Sequence, residues 1–316
     1  MKHYSIYFAG FLYFMVQQSY ALEWPHIQAK KIGPNTYVIE HGDHHEDPKV
    51  SHGFHNNPGF IITSSGVVVV DTGGSYEIGK MILRKIASVT TKPITHIFTT
   101  HFHGDHWFAN QALVEAYPDV QTIAHPKLIS LLNNGEDKFW LDVFSKRLGA
   151  DFAGTKAVIP KIEAENKNYK IGDITFQVTL FNQAHTETDL MVNVIEEGVL
   201  FTGDIINNEH FSFMGHGNFK GAYEATQKAL AMNPKHVVVG HGKSGNINLV
   251  KEFATIYQKL RNEVSRYSAQ GLMAYEMKPK VISAFDKYKS WSGFEAQIGR
   301  YVSQVNTELE NEAFNN

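Results

Sequence analysis

No cysteine occurs among the 316 residues of this chain, so neither a disulfide nor a thiolate metal ligand is available to it. Stability must come from packing and from bound metal. Excess charge is missing as well: 29 Lys and Arg stand against 32 Asp and Glu, a formal charge of −3. With no basic face and no interleaving of basic with aromatic residues, nucleic acid is not an expected partner. No Gly/Ser-rich or Pro-rich linker, short-period repeat or low-complexity tract divides the chain. At 43% hydrophobic residues, the length suffices for one large core. Residues 22–316 are therefore expected to form a single domain.

Long apolar runs are lacking too. The stretch from Tyr4 to Val16 stops at Gln17 and Gln18, short of the roughly 20 apolar residues that a membrane span needs. Lys2 precedes it and Ser19-Tyr20-Ala21 follows it, so residues 1–21 read as a cleavable signal peptide. The mature chain would begin near Leu22, with a charge of −4 once Lys2 is removed. The expected location is the periplasm or the medium, with no stable membrane insertion after cleavage.

Histidine is what the chain does have, and its densest informative cluster is Thr100-His101-Phe102-His103-Gly104-Asp105-His106-Trp107. Three imidazoles and a carboxylate within six positions have few uses other than holding metal. The preceding Pro93 to Thr100 reads as a buried strand, so the cluster falls where α/β folds place their chemistry, on the turn leaving a strand's C-terminal end. His101 and His103 project to one side, while Asp105 and His106 can reach a second point nearby. The same grammar of apolar strand then polar loop recurs three times. Phe176 to Phe181 leads to His185, Val199 to Thr202 leads to Asp204, and His236 to Val239 leads to His241 between two glycines. Five histidines and two aspartates at strand ends are the ligand count of a two-metal site with a shared carboxylate.

At these residues the chain resembles the metallo-β-lactamase superfamily, whose pattern His-x-His-x-Asp-His, then His, Asp and His, is met in order between Lys31 and Gly245. The resemblance implies an α/β fold, the αβ/βα sandwich of two mixed β-sheets flanked by helices. It implies that His101, His103 and His185 hold one metal, that Asp105, His106 and His241 hold another, and that Asp204 bridges them. Asp71, closing the strand Val67-Val68-Val69-Val70, would support the metal loop by orienting a ligand imidazole; the competing role is capping of the helix near Ser75. Asp204 stands where the first zinc β-lactamase subclass places cysteine, and the third subclass lacks the bridging acid. The bridging Asp204 is similar to that of glyoxalase II and related thioester and lactone hydrolases. Asn57 to Ile62, Val70 to Ser75, Lys92-Pro93-Ile94 and Phe219 to Tyr223 are similar to exported metallohydrolases of the quinoprotein-relay and sulfur-oxidation-associated group. The superfamily's nucleases carry an inserted domain for which this chain has no room.

Nitrogen and oxygen ligands without thiolate suit two Zn²⁺, and iron or manganese would fit the same set. Two such ions lower the pKa of water from about 15.7 toward roughly 7. The expectation is hydrolysis of an ester-like, thioester, lactone or β-lactam bond in a small-molecule substrate, with Asp105 or a metal-bound water assisting proton transfer. Two alternatives stand beside it: a mononuclear iron enzyme oxidising sulfur compounds, and a non-catalytic metal-binding partner of a periplasmic redox system.

The remaining elements are read more coarsely. Thr36 to Glu40 is extended, and His41 to Asn57, with His41, His44, His45, His52 and His55, reads as a polar solvated loop outside the metal set. Met81 to Val89 and Ala109 to Tyr117 have helical spacing, and Trp107 is expected in the core. His210, His216 and Tyr223 are expected to border the cleft and offer a hydrogen bond to an oxyanion. Lys243 is a candidate partner for a substrate carboxylate, and His125 a candidate support for the metal ligands. From Asn246 a helical extension, about 246–316, closes the fold or forms an interface, through Val250, Phe253, Ile256, Tyr257 and Leu260 and then Phe294, Ile298, Tyr301 and Val305.

Overall fold

The structure, a computed structural model, describes residues 27–40 and 51–314. The expected signal peptide and His41, His44 and His45 lie outside the described residues. The first sheet runs in chain order through β1 (Ala29–Lys31), β2 (Thr36–Ile39), β3 (Gly59–Thr63), β4 (Gly66–Val70), β5 (Ile94–Thr99), β6 (Gln121–Ala124) and β7 (Ile162–Glu163). Its first four strands are antiparallel and the remainder parallel. The second comprises β8 (Lys167–Ile171), β9 (Ile174–Phe181), β10 (Asp189–Val194), β11 (Val199–Phe201) and β12 (His236–Val238), in the order β12-β11-β10-β9-β8. There only β11 and β12 run parallel.

The run of four valines in β4 shows why the sheets stack as they do. Side chains alternate along a strand, so Val68 and Val70 face inward against Phe98, Phe176 and Val192 between the sheets. Val67 and Val69 face outward under Ile78, Met81 and Ile82. Those three belong to α1 (Tyr76–Ala87), which begins at Ser75, whose hydroxyl accepts from the Ile78 N–H. Beside it lies α2 (Asn110–Ala116). An excursion between β6 and β7 contains α3 (Pro126–Leu131) and α4 (Asp137–Leu148). On the far side, Met191, Leu200 and Val237 of the second sheet are buried under α5 (Phe219–Met232), α6 (Ile247–Ser268), α7 (Ala274–Ala284) and α8 (Phe294–Phe314). The result is helix, sheet, sheet, helix, the expected αβ/βα sandwich.

The C-terminal extension closes the fold by packing against α5 and the second sheet. Its middle helix, α7, was not legible because Pro279 lies inside it. No helix among the described residues is long and apolar enough to cross a membrane. The early polar stretch is a correction. Of its described part, Ser51, Phe54, Asn56 and Asn57 are buried, and the Asn57 side-chain amide donates to the Val239 and Gly242 carbonyls at 2.9 and 2.6 Å. Instead of lying in solvent, this segment is tied to the loop that carries His241.

Candidate metal centre

The seven candidate ligands come from four strand ends, and Asp71, which supports them, from a fifth. Asp71 follows β4, the cluster His101 to His106 follows β5, His185 precedes β10, Asp204 follows β11 and His241 follows β12. All lie at one edge of the sandwich, in the crevice that parallel strands open at their carboxyl ends. His101, His103, His185 and Asp204 form one group and Asp105, His106 and His241 a second; within each group the nitrogen or oxygen atoms lie within 4.8 Å of one another. Asp204 touches both. One oxygen is 3.2 Å from His106 Nε2, and the other is 3.1 Å from His241 Nε2 and 3.5 Å from His185 Nε2.

Hydrogen bonds on the outer side of each ring determine which nitrogen faces inward. Asp71 is the centre of this arrangement. Its Oδ1 accepts from the Thr100 N–H at 2.8 Å, and its Oδ2 accepts from Thr100 Oγ1 at 2.9 Å and His106 Nδ1 at 2.8 Å. The Thr100 hydroxyl proton is thus committed, so Thr100 Oγ1 accepts from His101 Nδ1 at 3.1 Å. As neutral rings, both His101 and His106 are left with a bare Nε2 lone pair. His241 Nδ1 donates to the His55 carbonyl at 3.1 Å, which likewise frees its Nε2. His103 Nε2 lies 3.0 Å from His216 Nδ1, leaving His103 Nδ1 to face His185 Nε2 at 3.0 Å. Two imidazole nitrogens so close need a proton or a cation between them.

A metal fits this set. His101 Nε2 is buried with no hydrogen-bond partner, and the buried His106 Nε2 and Asp204 Oδ1 have only each other at 3.2 Å, an arrangement that costs free energy unless something coordinates them. Electrostatics agree. Burial, with neighbouring imidazoles, holds His101 and His103 well below the usual histidine range, and burial pushes His185 down to about 4, so the first group offers neutral imidazoles. In the second group burial disfavours charge on His106 and His241. Asp204, joined at His106 by Asp71 and Asp105, outweighs it and raises both. Burial likewise opposes ionisation of Asp105 and Asp204, and the flanking His106 and His241 overcome it. The buried carboxylates call for positive charge, which a metal ion would supply.

A family model described as the metallo-beta-lactamase superfamily matches residues 53–241. The chain belongs to that superfamily. Among solved structures it is similar to a metallo-beta-lactamase from Pontibacter korlensis, with 18% identity, a TM-score of 0.58, and coverage of 73% of this chain and 99% of that one. The DIM-1 metallo-beta-lactamase exposed to ceftazidime gives 19% identity, a TM-score of 0.56 and coverage of 75% and 98%. A double mutant of the sec-alkyl sulfatase PisA1 gives 13% identity and a TM-score of 0.69, covering 90% of this chain and 50% of that one. At these identities the likenesses speak for the fold alone. No curated protein matches the chain significantly.

The other candidates stand at unequal distances from the centre. Trp107 is fully buried and its indole N–H donates to the Phe102 carbonyl at 2.9 Å, closing the metal loop on itself. His55 and His210 line the cavity over the centre, and His216 touches His103. Tyr223 lies away from it, accepting a hydrogen bond from Gln258 on α6 at 3.2 Å. His125 caps α3, accepting from the Lys127 N–H at 3.0 Å, and its other nitrogen meets Asn182. His52 pairs with Asp151 at 2.8 Å. Lys243 is exposed and is not among the residues lining the cavity. Arg147, which the sequence reading passed over, is.

Proposed function

We propose that this chain is an exported dinuclear zinc hydrolase acting on an ester-like, thioester, lactone or β-lactam bond. The observation that carries the reading is the pair of adjacent donor groups with Asp204 between them, at 3.1–3.5 Å from imidazoles of both. His101, His103 and His185 would hold one ion and Asp105, His106 and His241 the other, with Asp204 shared. Once bound, such a pair supplies a water of lowered pKa and a Lewis acid for the scissile carbonyl.

The protein's own groups supply the remainder. Asp71 and His55 hold three of the imidazoles in the tautomer that presents a lone pair. Asp105 lines the cavity and stays ionised between His106 and His241. It is placed to accept the proton of the attacking water as the new carbon–oxygen bond forms, and to return that proton to the leaving group as the old bond breaks. Trp140, Phe144 and Phe213 give the cavity over the centre an aromatic lining.

The test is metal analysis with turnover on one sample. The purified protein is expected to hold two zinc ions per chain and to hydrolyse at least one of nitrocefin, a thioester and a lactone. Replacing His101 and His103 together by alanine is expected to remove zinc and bring turnover to background. Undiminished turnover with the site empty would sink the proposal, and a single tightly held iron would move the reading to sulfur oxidation. Export rests on residues 1–21 and is checked by the N-terminal sequence of secreted protein, expected to begin near Leu22.

A further inference from the structure

Above the centre is a cavity of about 400 Å³, and one of its walls comes from a single helix face. Trp140, Val143, Phe144 and Arg147 of α4 all line it. Their spacing of i, i+3, i+4 and i+7 puts them on one stripe of the helix. The stripe is held in register by Phe144. This ring packs against Phe108 and Phe152, and it fits over the metal loop because residues 74 and 104 are glycines. A Cβ at Gly104 would approach the Phe144 ring to 2.9 Å, and one at Gly74 would approach it to 3.2 Å.

With Phe144 fixed, the other positions follow. One turn toward the helix N-terminus, the Trp140 ring lies 5.1 Å from that of His103. In the opposite direction Arg147 stands about 10 Å from Trp140 along the axis. Phe54 and Phe213 also line the cavity, the latter 40% exposed. Such an exposed ring beside a cavity is suited to an apolar occupant.

Among the described lining residues Arg147 is the only Lys or Arg. Its guanidinium makes no ion pair or hydrogen bond with any described residue. The nearby acids are engaged elsewhere: Asp142 pairs with Lys146 at 2.6 Å and Asp151 with His52 at 2.8 Å. An unpaired guanidinium on the rim of an aromatic cavity is a fork for a carboxylate or sulfate.

We infer that the substrate carries an apolar body, packed on Trp140, Phe144 and Phe213, and an anionic group that Arg147 binds away from the bond to be cleaved. This inference rests on the hydrolase reading for that bond. The shared chemistry is a singly charged oxyanion on a hydrocarbon frame, and carboxylates and sulfate esters are its two sources.

The experiment measures binding by calorimetry and needs no turnover. The zinc-loaded protein and its Arg147→Gln variant are titrated with octanoate, octyl sulfate and octanol, and zinc content and esterase activity are measured on the same samples. At least one anion is expected to bind about tenfold more tightly than octanol, with the preference lost in Arg147→Gln and octanol affinity unchanged. Preference for octanoate alone would identify carboxylates as the source, and for octyl sulfate alone sulfate esters. Trp140→Ala is expected to weaken all three ligands together. Equal affinity for octanol and both anions would overturn the inference. So would an anion preference that survives Arg147→Gln, since the anion would then lie on the metal centre. If the preference depends on Arg147 but the protein hydrolyses nothing, the anion site at Arg147 stands, while the hydrolase reading and the place given to the cleaved bond fall.

Discussion

His216 shows how much a single ring contributes at the centre. For His103 to present Nδ1 inward, its Nε2 must carry the proton and give it to an acceptor, and His216 Nδ1 at 3.0 Å is that acceptor. Burial holds His216 below the usual histidine range, which keeps it neutral and able to accept. Removing such an outer partner of a ligand imidazole costs about 10–100-fold in metal affinity. His216→Ala is therefore expected to weaken zinc binding by that factor in a chelator competition titration, and His216→Asn, which retains an acceptor, to recover part of it. An unaltered affinity in the alanine variant would reduce His216 to a packing neighbour of His103. The His-x-His-x-Asp-His cluster was legible because its members are neighbours in sequence. The link between positions 103 and 216 was not, because it depends on how two distant loops dock: the Asn218 N–H donates to the Ala184 carbonyl beside His185 at 2.8 Å.

Among the elements, the parallel pair β11 and β12 does the decisive positioning. Their register aligns Phe201 with Val238, so the two strands end together and deliver Asp204 and His241 side by side. Room for this depends on Gly240, where a Cβ would fall 1.9 Å from Asp204 Oδ1 and 2.8 Å from the Gly203 carbonyl carbon. Gly240→Ala is expected to push Asp204 off its position, lowering zinc content below two per chain and costing about 1–3 kcal/mol of stability by overpacking. Metal analysis and thermal unfolding check it; full zinc occupancy with an unchanged Tm would show that the loop has slack. Strands of this kind were readable from their apolar runs and terminal Gly-Asp and Gly-His pairs. The role of α4 was not, since Trp140, Val143, Phe144 and Arg147 have helical spacing but no polar cluster to announce a site.

For the molecule as a whole, the absence of cysteine leaves four packed clusters among the described residues, together with any metal the centre binds, to hold the sandwich together. Ions bound only by the folded chain add about 2.7 kcal/mol when free metal is a hundredfold above its Kd. For a chain of this length that corresponds to roughly 4 °C in Tm. Removing metal with a chelator is expected to lower the Tm by at least that much, and added zinc to restore it. A Tm that ignores both treatments would mean that these buried imidazoles and carboxylates are satisfied without a cation.

The sequence by itself determined the superfamily, the layered fold and the positions able to ligate. Each of these depends on backbone periodicity and on residue types within a few positions of one another. Tertiary structure alone decided that Arg147 rather than Lys243 lines the cavity over the centre, that His216 rather than Tyr223 touches a candidate ligand, and that residues 51–57 are packed instead of solvated. Those outcomes follow from which apolar faces are buried together, as when Phe144 settles over Gly74 and Gly104. Burial of that kind acts between segments far apart in the chain, where local pattern carries no signal.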